Sequence, residues 1–391
     1  MTLAKRSLTS ERVARLPASG IRRFFDLAAG KAGVISLGVG EPDFITPDAF
    51  REAAVRSIQE GKTQYTSNYG IVALREAIAE HTTKLRGVGY DPKSEILVTV
   101  GVSEAVDLAL RATLNEGDEV ILAAPSNVAY VPGIVLAGGV PVPVATDEAN
   151  DFRLMPADVG RAITPRTRAI LLGFPNNPTG AVLEAEDVRG IAVLAREYDL
   201  LVYSDEIYDH FVYRTPHRSI LDEAGMKERT IYLAGFSKAY AMTGWRVGYA
   251  CAPAEIIEQM MKIHQYTVMC VPTAAQYAAL EAIRNGEADV QRMVGEYDKR
   301  RTRMYERFNA MGLHCFEPRG AFYCFPNVTS TGLSDGEFCE RLLNEQQVVI
   351  VPGNAFGERG VGHVRACYAA SMEKIDEACD RIEKFVARLR R

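Results

Sequence analysis

Hydrophobic positions along this chain gather into short runs instead of alternating with polar ones. Such runs occupy 96–100, 119–123, 140–145, 169–173, 200–204, 230–234 and 245–251. Strands buried on both faces read this way, and a mostly parallel sheet under helices buries both faces. Between the runs, apolar residues at helical spacing predict helices over 104–114, 128–137 and 184–198. From about residue 288 the texture changes. A long charged helix passes through 300–311 and a strand follows at 321–325. Then come a helix near 337–344, strands at 348–351 and 363–367, and a last helix at 374–388. The pattern predicts an α/β protein: a large domain whose mostly parallel sheet is sandwiched by helices, and a smaller α+β domain. No internal repeat or low-complexity linker interrupts it.

Composition narrows the class. The chain has 391 residues, 47% of them hydrophobic, with 45 Lys and Arg against 50 Asp and Glu for a net charge of −5. At about 100–200 residues per domain, this length predicts two domains. The hydrophobic content excludes a disordered chain. Mild acidity argues against a nucleic-acid partner. No apolar run approaches the roughly 20 residues that cross a bilayer, so no membrane partner is expected. The seven cysteines, all from Cys251 onward, include no CxxC pair. They read as reduced thiols in a cytoplasmic protein, without a disulfide framework or a metal centre. The N-terminus lacks the apolar core of a signal peptide. Its basic residues (Lys5, Arg6, Arg12, Arg15, Arg22 and Arg23 against Glu11) leave a transit peptide as the lesser reading.

Five segments carry candidate chemistry. Gly235-Phe236-Ser237-Lys238 follows an apolar run, and Arg246 lies eight residues on, at the start of the next strand. Most lysines are solvated surface charges. One held among small and apolar neighbours loses hydration, its pKa falls, and it can form a Schiff base. A buried arginine needs an anion, and its planar fork suits phosphate. Phe174-Pro175-Asn176-Asn177-Pro178-Thr179-Gly180 reads equally well as a plain turn or a site loop. Asp205 ends a buried run, where open α/β sheets gather ligands, although a helix cap is the bland alternative. Gly101-Val102-Ser103 forms a glycine turn into a helix that Ser103 caps, and the free amides of such an end bind phosphate. It is not a P-loop, because the Gly-Lys-Ser/Thr ending is missing. Arg365 sits inside an apolar run and calls for a carboxylate. Together these supply a lysine for a carbonyl, an arginine and helix end for a phosphate, an aspartate for a ring cation and an arginine for a carboxylate. That set fits pyridoxal 5′-phosphate acting on an amino acid.

At this point the sequence resembles the fold-type-I pyridoxal-phosphate aminotransferases of class I/II, in the branch of bacterial aspartate and archaeal aromatic enzymes. The likeness covers nearly the whole chain. It starts at Ile21-Arg22-Arg23-Phe24-Phe25-Asp26-Leu27-Ala28 and runs through Leu37-Gly38-Val39-Gly40-Glu41-Pro42-Asp43-Phe44. It continues through Tyr65-Thr66, Gly70 and Leu74-Arg75-Glu76-Ala77-Ile78 to Val351-Pro352-Gly353 and Arg365. Its early start makes the basic N-terminus part of the mature fold. The resemblance implies that Lys238 bonds the cofactor and then moves the substrate proton. Asp205 would keep the pyridine nitrogen protonated, while Asn177 and Tyr208 would hydrogen-bond the ring's phenolic oxygen. Arg246, Ser103 and the amides after Gly101, at Val102 onward, would hold the phosphate, with Ser237 and Asn127 also at the cofactor. Arg365, Asn177 and the Gly38 backbone would take the substrate carboxylate. Tyr65 would reach the partner's phosphate in a homodimer with shared active sites. The implied domains are 46–287 for the cofactor, and 1–45 with 288–391 as a discontinuous small domain.

Two departures stand out. Asn127 occupies the place where such enzymes carry an aromatic ring to stack on the cofactor, although Tyr130 matches. Gly235 replaces a serine three residues before the lysine. The expected reaction is ping-pong amino transfer from an aromatic or broad range of L-amino acids, possibly aspartate, to a 2-oxo acid, by family habit 2-oxoglutarate. A carbon–sulfur β-lyase of the same fold is the alternative that Asn127 favours. A non-catalytic regulator is a remote one.

Overall fold

The computed structural model describes residues 8–14, 16, 20 and 33–390. The segment 21–28, where the resemblance begins, lies outside them. In chain order the strands are β1 (Ile35–Ser36), β2 (Ile96–Thr99), β3 (Glu119–Ala124), β4 (Val140–Ala145), β5 (Thr167–Gly173) and β6 (Leu201–Asp205). There follow β7 (Thr230–Gly235), β8 (Gly248–Cys251), β9 (Tyr323–Cys324), β10 (Val348–Val349), β11 (Val351–Pro352) and β12 (Val364–Cys367).

Seven strands form the main sheet in the order β2-β8-β7-β6-β5-β3-β4. The pairs β3/β4, β3/β5, β5/β6 and β6/β7 are parallel, while β8 runs antiparallel to both β7 and β2. The interior strands are buried along nearly their whole length, as the continuous apolar runs require. Run 140–145 is a correction. It reads as a buried strand, yet in β4 only Val144 is buried. Its prolines, Pro141 and Pro143, cannot donate to a ladder on both sides, so the segment takes the sheet edge.

Helices Asp48–Gln59, Val72–Arg86, Ala254–Thr267 and Thr273–Asn285 complete the cover. The 104–114 prediction is corrected at its start. The helix begins at Gly101, with Val100 at the cap position, so Ser103 lies in the first turn and caps nothing. Arg246 is also corrected. It precedes β8 in a left-handed turn with φ 55°, not at a strand start.

In the C-terminal part, the charged helix is Glu287–Ala310, and helices Asp335–Gln346 and Met372–Leu389 pack nearby. Run 348–351 divides at Ile350. Upstream, β10 pairs in parallel with β1; downstream, β11 joins β12 and β9 in an antiparallel sheet. The chain thereby changes sheets within two residues and delivers Arg365 on β12. No helix among the described residues is long and apolar enough to cross a membrane.

Candidate active site

The site forms at the C-terminal edge of the main sheet, where parallel strands release their loops. Register places Gly173 beside Asp205 at the ends of β5 and β6, with Asp205 beside Leu233 of β7. The loops leaving β5, β6 and β7 carry Asn177, Tyr208 and Lys238. A cavity of about 620 Å³ lies over them. Its lining brings together Gly38, Val102, Ser103, Asn127, Asn177, Asp205, Tyr208, Ser237, Lys238, Arg246 and Arg365. Gly101 lies just beneath Arg246. Tyr65 is not brought in; it is 81% exposed and away from this chain's cavity.

The N-terminus of helix Gly101–Thr113 opens into the cavity. Gly101 has φ +74°, and a Cβ there would sit 2.4 Å from Nη2 of Arg246. The helix end and the guanidinium thus meet across a gap that only glycine permits. Gly235 has a similar cause. A Cβ at Gly235 would lie 2.9 Å from the Gly248 backbone and from Val102, so the serine found in the resembling enzymes has no room here.

Lys238 donates from Nζ to the Gly40 carbonyl at 2.6 Å. Its amine lies 5.7 Å from the Phe322 ring centroid and 5.8 Å from that of Tyr208. Burial pushes its pKa down from 10.5 to about 8; Arg365 and Arg246 push the same way, while Cys367 and Glu41 oppose. Asp205 is buried, and burial raises its carboxyl to about 6. The Tyr130 hydroxyl, donating to Oδ2 at 2.7 Å, and the Ile207 amide, donating to Oδ1 at 3.2 Å, limit that rise. So desolvated a carboxylate is completed by a cation.

Arg365 donates from Nη1 to Asn177 Oδ1 at 2.8 Å and from Nη2 to the Gly38 carbonyl at 2.6 Å. The guanidinium lies between the Tyr323 and Phe356 rings, at 4.5 and 4.9 Å. Its Nε is buried without a partner, an unmet donor that an anion would satisfy. Asn127 explains its own departure. Its Oδ1 accepts the Ala129 amide at 3.1 Å and so shapes the turn into helix Tyr130–Leu136. It acts on the backbone and leaves its own position in the cavity wall without a ring.

Sequence reasoning missed two partners. Tyr130 marked only the alignment, yet its hydroxyl is the side-chain donor to Asp205, 75 residues away. Tyr323, paired hydroxyl to hydroxyl with Tyr208 at 2.6 Å, carried no local signal. Among the described residues, no group of histidines, cysteines and carboxylates is placed to hold a metal ion.

The sequence pattern described as aminotransferase class I and II matches residues 32–382. The aromatic-amino-acid aminotransferase 2 of Thermococcus litoralis is 46% identical over 380 residues, covering 96% of this chain and 98% of that protein. The aspartate aminotransferase of Pyrococcus abyssi is 47% identical, with the same coverage of both chains. Among solved structures, the aromatic aminotransferase from Pyrococcus horikoshii aligns with a TM-score of 0.89 at 44% identity, covering 94% of this chain and 99% of its own. The Thermus thermophilus aspartate aminotransferase with maleate aligns at 0.92 and 40% identity, covering 97% and 100%.

Proposed function

The chain belongs to the aminotransferase class I and II family, and from that premise we propose that it uses pyridoxal 5′-phosphate to move an amino group from an L-amino acid to a 2-oxo acid. The family makes it an amino-group transferase. The donor in this reading has an aromatic or otherwise broad range of side chains, aspartate included, and the acceptor is 2-oxoglutarate. One observation carries it: Lys238, Asp205, the Gly101 helix end with Arg246, and Arg365 converge on one cavity.

Those residues fit the cofactor. Arg246, Ser103 and the amides at Val102 offer an anion site for its phosphate. Asp205 offers a buried carboxylate for its ring nitrogen, and Asn177 and Tyr208 offer polar groups for its phenolic oxygen. When bound, pyridoxal phosphate supplies a carbonyl that exchanges amines and a ring that accepts electrons from the substrate Cα. Lys238, with a pKa near 8, is poised as the amine that first bonds the cofactor. Once released, it would move the substrate proton from Cα to the cofactor's C4′. Matching its pKa to working pH favours that transfer, worth about 10²–10⁴-fold. Asp205 stays ionised while a cation faces it, and so holds a proton on the ring nitrogen. Arg365 turns its unmet donor and its fork to the substrate carboxylate and fixes which bond at Cα faces Lys238.

The donor preference rests on the cavity lining and on relatives' names. Among the described lining residues, Lys238, Arg246 and Arg365 are the cations, and each already has a task. Among the described residues of the wall, that leaves no further cation for an acidic side chain. The two relatives named above divide between aromatic and aspartate donors. Exposed Tyr65 supports a homodimer in which it serves the partner's site. The β1/β10 pairing supports a small domain of 1–45 with 288–391 beside a large one of 46–287. Seven free cysteines support a cytoplasmic setting.

The test is optical. The purified protein should carry a visible cofactor band, bleached by aromatic donors and restored by 2-oxoglutarate. Release of ammonia or an olefin without restoration would overturn the reading.

A further inference from the structure

Behind the site lies a buried ionic cluster that no step above uses. The segment 206–209 follows Asp205, the last residue of β6, as a tight turn. Asp205 and Tyr208 face the cavity, while Glu206 and Asp209 face the opposite way. One nitrogen of Arg86, Nη2, lies 2.9 Å from Glu206 Oε2 and 2.9 Å from Asp209 Oδ2. All three side chains are buried, at 5%, 1% and 8% exposure. Arg86 is the last residue of helix Val72–Arg86, where a cation is favoured by the helix dipole.

The two carboxylates have further partners, while Arg86 Nε is buried without one. Ser204 and Ser219 donate to Glu206 Oε1 at 2.9 and 2.5 Å, and His217 Nε2 lies 2.7 Å from Oε2. His210 Nδ1 lies 2.6 Å from Asp209 Oδ1. Buried ion pairs add little stability over apolar residues of equal size; specifying one arrangement is their best-attested use. Here the arrangement specified is the turn that aims Asp205 and Tyr208.

We propose that Arg86 is a positioning residue for amino transfer, fixing the Asp205–Tyr208 pair from behind through Glu206 and Asp209. The proposal rests on the reading that this pair faces pyridoxal phosphate. A second effect runs the same way. The Glu206 charge pushes the Asp205 carboxyl upward, and Arg86 balances that charge beside it, which keeps Asp205 ionised.

The experiment compares full-length wild type, Arg86→Met and Arg86→Lys for pyridoxal phosphate affinity, visible circular dichroism of the bound cofactor, kcat and KM. Arg86→Met should weaken cofactor affinity at least tenfold, alter the dichroic band and lower kcat at least tenfold. KM for α-carboxylate substrates should stay within threefold, because Arg365 is untouched. Arg86→Lys should recover half or more of each loss on a logarithmic scale. If Arg86→Met does not fold, the set Arg86→Met, Glu206→Gln, Asp209→Asn takes its place; it removes the Glu206 charge too, so the losses expected of it are those of positioning, in cofactor affinity, dichroism and kcat. A folded variant with affinity, dichroism and kcat within twofold of wild type overturns the proposal, as does a loss confined to KM. Wild type that binds no pyridoxal phosphate would instead overturn the functional reading, and this proposal with it.

Discussion

Replacing Lys238 by Met should stabilise the cofactor-free protein while ending its turnover. Burial lowers the lysine's pKa from 10.5 to about 8. At about 1.36 kcal/mol per pKa unit, keeping the ammonium in the folded state costs about 3 kcal/mol at pH 7. Methionine of similar length fills the space without that cost. The substitution also forfeits the bond to the Gly40 carbonyl, a loss of about 1–2 kcal/mol. The net gain is about 1–2 kcal/mol. The folded pKa lies below the unfolded one, so the penalty is complete below pH 8, fades between pH 8 and 10.5, and vanishes above. Urea unfolding of both cofactor-free proteins, at equal concentration from pH 7 to 10.5, checks this. The variant should lead at pH 7, and the gap should close and then reverse as pH rises to 10.5, where only the lost hydrogen bond remains. A less stable variant at pH 7, or a gap independent of pH, would mean that Lys238 carries no such burial penalty. A confirmed gain would mean that the lysine is kept for chemistry at the expense of stability.

Two further substitutions probe single contacts. Tyr130→Phe removes the 2.7 Å bond to Asp205, worth about 1.5–3 kcal/mol to a charged acceptor. The Asp205 carboxyl, already near 6, should rise by about one to two pH units; carbon NMR of the cofactor-free protein should show that titration move, and an unmoved one contradicts the assignment. Arg365→Ala should raise KM about 10- to 100-fold for amino donors and 2-oxo acids alike. An effect on one of the two only would mean that Arg365 reads a side chain and not the shared carboxylate.

The main sheet was legible because its interior strands are buried on both faces, which leaves unbroken apolar runs in the sequence. Run 140–145 looked the same by composition, but its two prolines confine it to the edge. Lys238, Asp205, Asn177 and Arg365 were legible because each sits in a local pattern at a strand or strand end. Ser103 was misassigned as a cap, since a glycine in a left-handed turn starts the helix two residues earlier. Tyr130, Tyr323 and Arg86 were not legible. Their partners lie 75, 115 and 120 or more residues away, and only the closed fold sets those distances. Asn127 looked like a defect in the sequence and proves to be a backbone fastening.

In this mechanism pyridoxal phosphate attaches at Lys238. Borohydride reduction of the purified protein, followed by proteolysis and mass spectrometry of the peptides, locates the attachment. The cofactor's added mass should fall on the peptide containing Lys238 and be absent from that peptide in Lys238→Ala. Added mass on a different lysine, or on none, would contradict it.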